Sequence, residues 1–357
     1  MAQLYGQEWT RAALLRHVGD IGQLAGARLA ELSDGPGRGV RVADVTTGGG
    51  LYFSVLIDRG LDIGAASLDG FPLAWRSSSG VTHPALFEPQ GAGWLRGFGG
   101  GLLTTCGLTA AGASGEDELG AYGLHGRASA LPASLTAAGG RWEGDDYVIA
   151  IEGQTRETAV FGFDLLLTRR ISARLGERRL TIEDRVENMG DTPAPLMLLY
   201  HCNFGFPLVA AGSQLLMNGE TPVPRDTAAV AGLAGHARFE APVPGYAEQV
   251  FFHAPRADQG GMVTAAIVNR ALDGGQGLAA YVRYRQVELP NLIEWKQMGA
   301  GTYVVGLEPA NCLVMGRAAE RKRGTLQMLA PGESRSFLVE LGAARGREGI
   351  AVIEAMI

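Results

Sequence analysis

Arg179-Leu180-Thr181-Ile182-Glu183-Asp184-Arg185-Val186-Glu187 alternates in character at almost every step. Leu180, Ile182 and Val186 fall on one side of an extended chain, Thr181, Glu183 and Arg185 on the other, as in a half-buried β-strand. Phe163 to Ser172 has the same character, and Leu175-Gly176-Glu177 between them supplies a turn, so the two segments read as antiparallel partners. Asp184 interrupts the apolar side, a departure the sequence alone leaves unexplained.

Working outward, Leu51 to Ile57 is a strand stopped by Asp58-Arg59-Gly60, and Leu61 to Leu68 follows, closed by Asp69-Gly70. Tyr147 to Glu152 is another strand. Leu326 to Leu329, the turn Pro331-Gly332-Glu333 and Phe337 to Leu341 read as a final hairpin. The 53 glycines and 16 prolines are spread between short apolar runs instead of gathering in a linker, which predicts many short strands. The expected fold is all-β: one large antiparallel β-sandwich spanning residues 1–357. Only the first thirty or so residues look helical, through Trp9, Ala13, Leu14, His17, Ile21 and Leu24. Residues 1–35 are therefore expected as an extension packed on the sandwich.

Composition narrows the function classes. A formal net charge of −6 argues against nucleic acid as a partner, since phosphate binding needs a concentrated basic surface. The basic run Arg317 to Arg323 is expected to be a solvated strand end or loop. Three cysteines, Cys106, Cys202 and Cys312, are too few for a disulfide scaffold, and no Cys-x-x-Cys suggests zinc. The N-terminus has no basic, then apolar, leader, and nothing approaches 18 uninterrupted apolar residues; a cytoplasmic protein without a membrane partner is expected. The Gly-rich stretch Trp94 to Gly107 lacks the Gly-Lys-Ser/Thr ending of a phosphate loop, so no nucleotide cofactor is expected. Its glycines instead suit close approach of backbone to a ligand or strand.

Three residues stand out chemically. His201 interrupts the apolar run Leu198 to Phe206, Glu308 sits in Tyr303-Val304-Val305-Gly306-Leu307-Glu308-Pro309, and His125 is framed by Gly123-Leu124 and Gly126-Arg127. A histidine on a strand is more often a satisfied core residue than a catalyst. Three such residues in one apolar, Gly-rich context nevertheless suggest an acid, a base and a substrate holder.

The chain resembles the aldose 1-epimerase (galactose mutarotase-like) superfamily, and its bacterial aldose-1-epimerase-like branch most closely. The resemblance lies in Asp58-Arg59-Gly60-Leu61-Asp62-Ile63, Trp94 to Leu108, Leu124-His125-Gly126-Arg127, Tyr200-His201-Cys202-Asn203-Phe204 and Gly306-Leu307-Glu308-Pro309, in the expected order. It implies the galactose mutarotase-like supersandwich and a small-molecule sugar substrate, with no cofactor and no metal; a homo-oligomer is compatible with it. By the same resemblance His201 is the general acid, Glu308 the general base and His125 a substrate-binding residue. Arg96 corresponds to a loop arginine that contacts sugar hydroxyls, and Arg127, Arg59, Asp62 and Asn203 are further substrate-binding candidates. Arg127 departs from the family's second glycine, and Cys202-Asn203 from its Thr-Tyr, so the sugar's identity stays open, and an anionic sugar with it. The implied reaction interconverts anomers by acid/base ring opening and closure. The alternatives are a non-catalytic sugar-binding or sensing protein on the same sandwich, and a sugar isomerase or epimerase using a metal held by His125, His201 and Glu308.

Overall fold

The computed structural model describes residues 1–357. Three antiparallel sheets carry the molecule. The largest has eight strands, in spatial order Ser134–Glu143, Asp146–Thr158, Asp164–Arg174, Arg179–Asn188, Ser334–Arg345, Leu278–Arg285, Met262–Asn269 and Gln214–Met217. The alternating segment lies at its centre, with Ile182 opposite Ile171 and Val339. A second sheet of seven strands includes Gln249–His253, Asn291–Gly299, Thr302–Ala310 and Ala194–Phe204, with Thr104–Leu108 pairing along the last. A five-stranded sheet, Gly26 to Pro72, completes the layers.

The strand Ala194–Phe204 is buried at every position because both its faces are covered. Leu196, Leu198, Tyr200, Cys202 and Phe204 enter the main core of 58 residues, while Met197 and Leu199 join a smaller cluster on the opposite face. His201 falls in that second set by alternation. The apolar run in the sequence is thus a doubly covered strand.

Asp184 is explained by this packing. Arg169, its cross-strand partner, donates to both its oxygens at 2.9 and 2.6 Å, and the Tyr200 hydroxyl donates to it at 2.7 Å. Arg169 also donates to Thr105 Oγ1 and to the Gly60 carbonyl, so one buried guanidinium ties the two large sheets and the Gly60 turn together. A charged residue persists on the apolar side because its charge is met there.

Three expectations are corrected. The N-terminal segment is helical only in part: it forms the hairpin Ala2–Leu4 and Gln7–Trp9, a five-residue helix Arg11–Leu15 capped by Thr10, and the edge strand Gly26–Glu31. Ala2, Leu4, Leu14 and Ala25 do enter the main core. The last two β segments are not a hairpin, because Gln327–Leu329 pairs with Ala194–Leu196 in one sheet while Ser334–Arg345 joins the other. Arg317–Arg323 is a helix whose first residue is buried against Asp117 at 2.7 Å. No helix is long and apolar enough to cross a membrane.

Candidate active site

His201 and Glu308 are brought together by strand pairing. Ala194–Phe204 and Thr302–Ala310 run antiparallel, and the register that sets Cys202 opposite Leu307 and Leu199 opposite Ala310 puts His201 beside Glu308 on one face. His201 Nε2 lies 3.2 Å from Glu308 Oε1, with side-chain exposures of 6% and 2%. The alignment falls short of a hydrogen bond, so Glu308 Oε1 is a buried polar atom without a partner, and the other ring nitrogen of His201, Nδ1, is a second one.

His125 reaches the same place from the loop Gly123–Arg127. Its backbone is left-handed at φ 56°, and it is clamped by a bond from its N–H to the Gly112 carbonyl and another from the Gly107 N–H to its own carbonyl. The next residue must be glycine: at Gly126 (φ 71°) a Cβ would meet the Ala110 carbonyl oxygen at 2.2 Å. The His125 and His201 rings are 5.6 Å apart, centre to centre.

The three side chains line one cavity of about 430 Å³. Its walls are aromatic. Trp94 stacks on Phe98 at 4.3 Å and leans on His125 at 4.6 Å, while Trp295 and Phe98 stand 5.3 and 5.2 Å from His201. Trp75 closes the ring against Trp295. At the rim Arg225 pairs with Glu248 at 2.8 Å, and Glu248 accepts from Trp295 Nε1 at 2.9 Å. The aromatic ring is what the sequence reading missed. Three of the chain's five tryptophans, Trp75, Trp94 and Trp295, converge here from distant segments, so the scarcity of the residue was the available signal.

Enclosure sets the protonation of these groups. Burial, helped by the Glu248 charge, pushes the Glu308 carboxyl well above its usual range. Burial and the neighbouring His125 push His201 well below the usual imidazole range, and burial takes His125 down to about 4. All three directions favour the uncharged side chains.

The other sequence-derived site residues fall outside the walls of this cavity. Arg59 is buried and donates to the Thr82 and Gly97 carbonyls, bracing the loop that carries Trp94 and Phe98. Asp62 is buried and accepts from Thr105 and Arg169. Arg59 and Asp62 border a separate cavity of about 610 Å³. Asn203 is fully buried, its amide nitrogen donating to the Gly101 and His201 carbonyls. Arg96 is exposed and paired with Glu88 at 3.1 Å, and Arg127 is exposed beside His125. Of these five, three are committed to internal hydrogen bonds and two face solvent. His201 and Glu308, 3.2 Å apart on paired strands, leave no room for a sugar ring between them.

No curated protein matches the sequence. The structure is similar to a candidate aldose 1-epimerase from Klebsiella pneumoniae, with 26% identity, 94% of this chain and 89% of that one covered, and a TM-score of 0.87. It is also similar to a galactose mutarotase-like protein from Clostridium acetobutylicum, at 13% identity, 89% and 98% coverage and a TM-score of 0.61. The fold is that of the galactose mutarotase-like superfamily. Within it, a family model matching residues 37–343 shows that the chain belongs to the family described as Domain of unknown function (DUF4432).

Proposed function

We propose that the chain is a carbohydrate isomerase that interconverts the anomers of an aldose or aldose derivative through the His201–Glu308 pair. The observation that carries the reading is the 3.2 Å separation of two buried, unsatisfied groups on the floor of an aromatic cavity. Opening a sugar ring takes a proton from the C1 hydroxyl and delivers one to the ring oxygen. Those two oxygens share C1, so the groups serving them must sit close together on one side of the ring. A cross-strand pair meets that demand better than groups facing each other across a gap. Each well-placed donor or acceptor contributes about 10²–10⁴ in rate.

The resemblance gives Glu308 as base and His201 as acid, which corresponds to carboxylate beside imidazolium. The buried pair instead favours carboxylic acid beside neutral imidazole. The two forms differ only by one proton shifted between neighbours, so one inventory serves ring opening and, with roles reversed, closure. Trp94, Phe98, Trp295 and Trp75 supply apolar surface for the C–H faces of a sugar, and the half-sealed His125 supplies a hydroxyl contact. The Klebsiella and Clostridium proteins lend the reading support through their fold and names.

The test is an NMR screen of freshly dissolved aldoses, uronic and deoxy sugars included, reading both anomer exchange and binding. Acceleration of exchange for at least one sugar is expected. Binding of a sugar without any acceleration would favour the non-catalytic binder.

A further inference from the structure

A second set of ligating side chains meets on the opposite face of the same sheet from His201 and Glu308. Glu294 lies opposite Leu307, one position out of phase with the Glu308–Ile293 pair. The neighbouring strand sets Phe251 opposite Glu294 and His253 opposite Leu292, so His253 and Glu294 share a face. His236 comes to them from the turn that follows the helix Thr227–Gly232. His236 Nδ1 and His253 Nε2 lie 2.9 and 3.0 Å from Glu294 Oε2, and the ligating atoms of all three residues are within 4.8 Å of one another.

The charge balance is the second observation. Glu294 is wholly buried, its Oε1 has no partner, and Oε2 meets only the two imidazoles. Lys296, two residues on and on the same face, is spent on Glu240 at 2.8 Å and on the Gly235 and Arg238 carbonyls. A carboxylate this far out of water requires a counter-charge, and a divalent cation held by the same three side chains would provide it.

From this geometry we infer that His236, His253 and Glu294 bind a divalent transition-metal ion of the zinc type. Two imidazoles and a carboxylate are a common donor set for zinc, leaving one position open. Tetrahedral coordination needs ligand atoms about 3.4 Å apart, so the carboxylate–imidazole distances must open by about 0.4 Å. His236, with 20% of its side chain exposed, is the member free to shift and marks the entry path. The ion sits behind the sheet, out of reach of a sugar on His201. Its role is to pin the segment from Thr227 to His236 to two strands. Arg225, which lines the active-site cavity, directly precedes that segment's capping residue Asp226, so the ion fixes the element that presents Arg225. This inference is independent of the acid/base reading.

The experiment titrates chelator-stripped full-length protein with zinc chloride by calorimetry, and repeats the loading with cobalt(II) to read its visible absorption. Expected are one equivalent of zinc, cobalt bands of a low-coordinate site, and a rise in melting temperature. His236→Gln and His253→Gln should each weaken zinc at least about tenfold, with unchanged circular dichroism in the partly exposed His236 variant. Absence of stoichiometric zinc in the wild type would overturn the proposal. So would uptake by both variants equal to that of the wild type, or uptake abolished by His201→Asn, which would put the ion in the other cavity.

Discussion

At the level of single residues, the proximity of His201 to Glu308 decides how protons are counted. Because burial lowers the imidazole, the pair gains a second proton only at pH below the ordinary histidine value of 6.5. Because burial raises the carboxyl, the pair loses its single proton only above the ordinary 4.5. On the proposed mechanism the one-proton pair is the active form, so kcat/KM should fall on an acid limb set by His201 below 6.5 and on a basic limb set by Glu308 above 4.5. Initial rates of mutarotation, corrected for the spontaneous reaction, check this; an acid limb at or above 6.5 would contradict it. His201→Asn should lower the rate by about 10²-fold or more. His125→Asn should act mainly on affinity, raising the Kd of the sugar more than it lowers kcat, because His125 borders the cavity from a loop outside the two strands that carry the pair. The three residues were legible because ionisable groups stood in apolar runs. Arg59, Asp62 and Asn203 stood in similar runs for another reason: their side chains satisfy buried backbone and, for Asp62, the buried Arg169 guanidinium. A sequence does not distinguish a polar atom aimed at a ligand from one aimed at a carbonyl.

At the level of elements, Arg169 and Asp184 on the eight-stranded sheet bind Thr105 and Tyr200 and so hold it against the sheet that carries His201 and Glu308. Both side chains are fully buried, so removing one partner strands a charge. Asp184→Ala should cost about 3–5 kcal/mol in urea unfolding, whereas replacing both residues by apolar ones of similar volume should cost far less. Equal losses in the single and double variants would argue that packing, and not stranded charge, dominates. The paired strands around Leu175-Gly176-Glu177 were legible because alternation and turn chemistry agreed. The final segments were misread as a hairpin because a Pro-Gly turn looks the same whether its arms pair or part to different sheets. The N-terminal spacing suggested a helix, but tertiary contacts of Ala2, Leu4 and Leu14 with the core favour a hairpin and a single helical turn.

At the level of the whole molecule, many short strands separated by glycine turns were enough to imply a sandwich. Which faces would meet was not, since the aromatic walls come from three segments spread between Trp75 and Trp295. The same folding brings His236 and His253, 17 positions apart, to Glu294, a constellation with no local signature. The account's central claim is that the carboxyl of Glu308 exchanges protons with the sugar. The most direct measurement is the anomer-exchange rate, by NMR, of the best substrate with wild type and with Glu308→Gln, at concentrations that saturate both. The predicted result is a drop of about 10²-fold or more with sugar binding retained. An exchange rate in Glu308→Gln equal to that of the wild type would contradict the account.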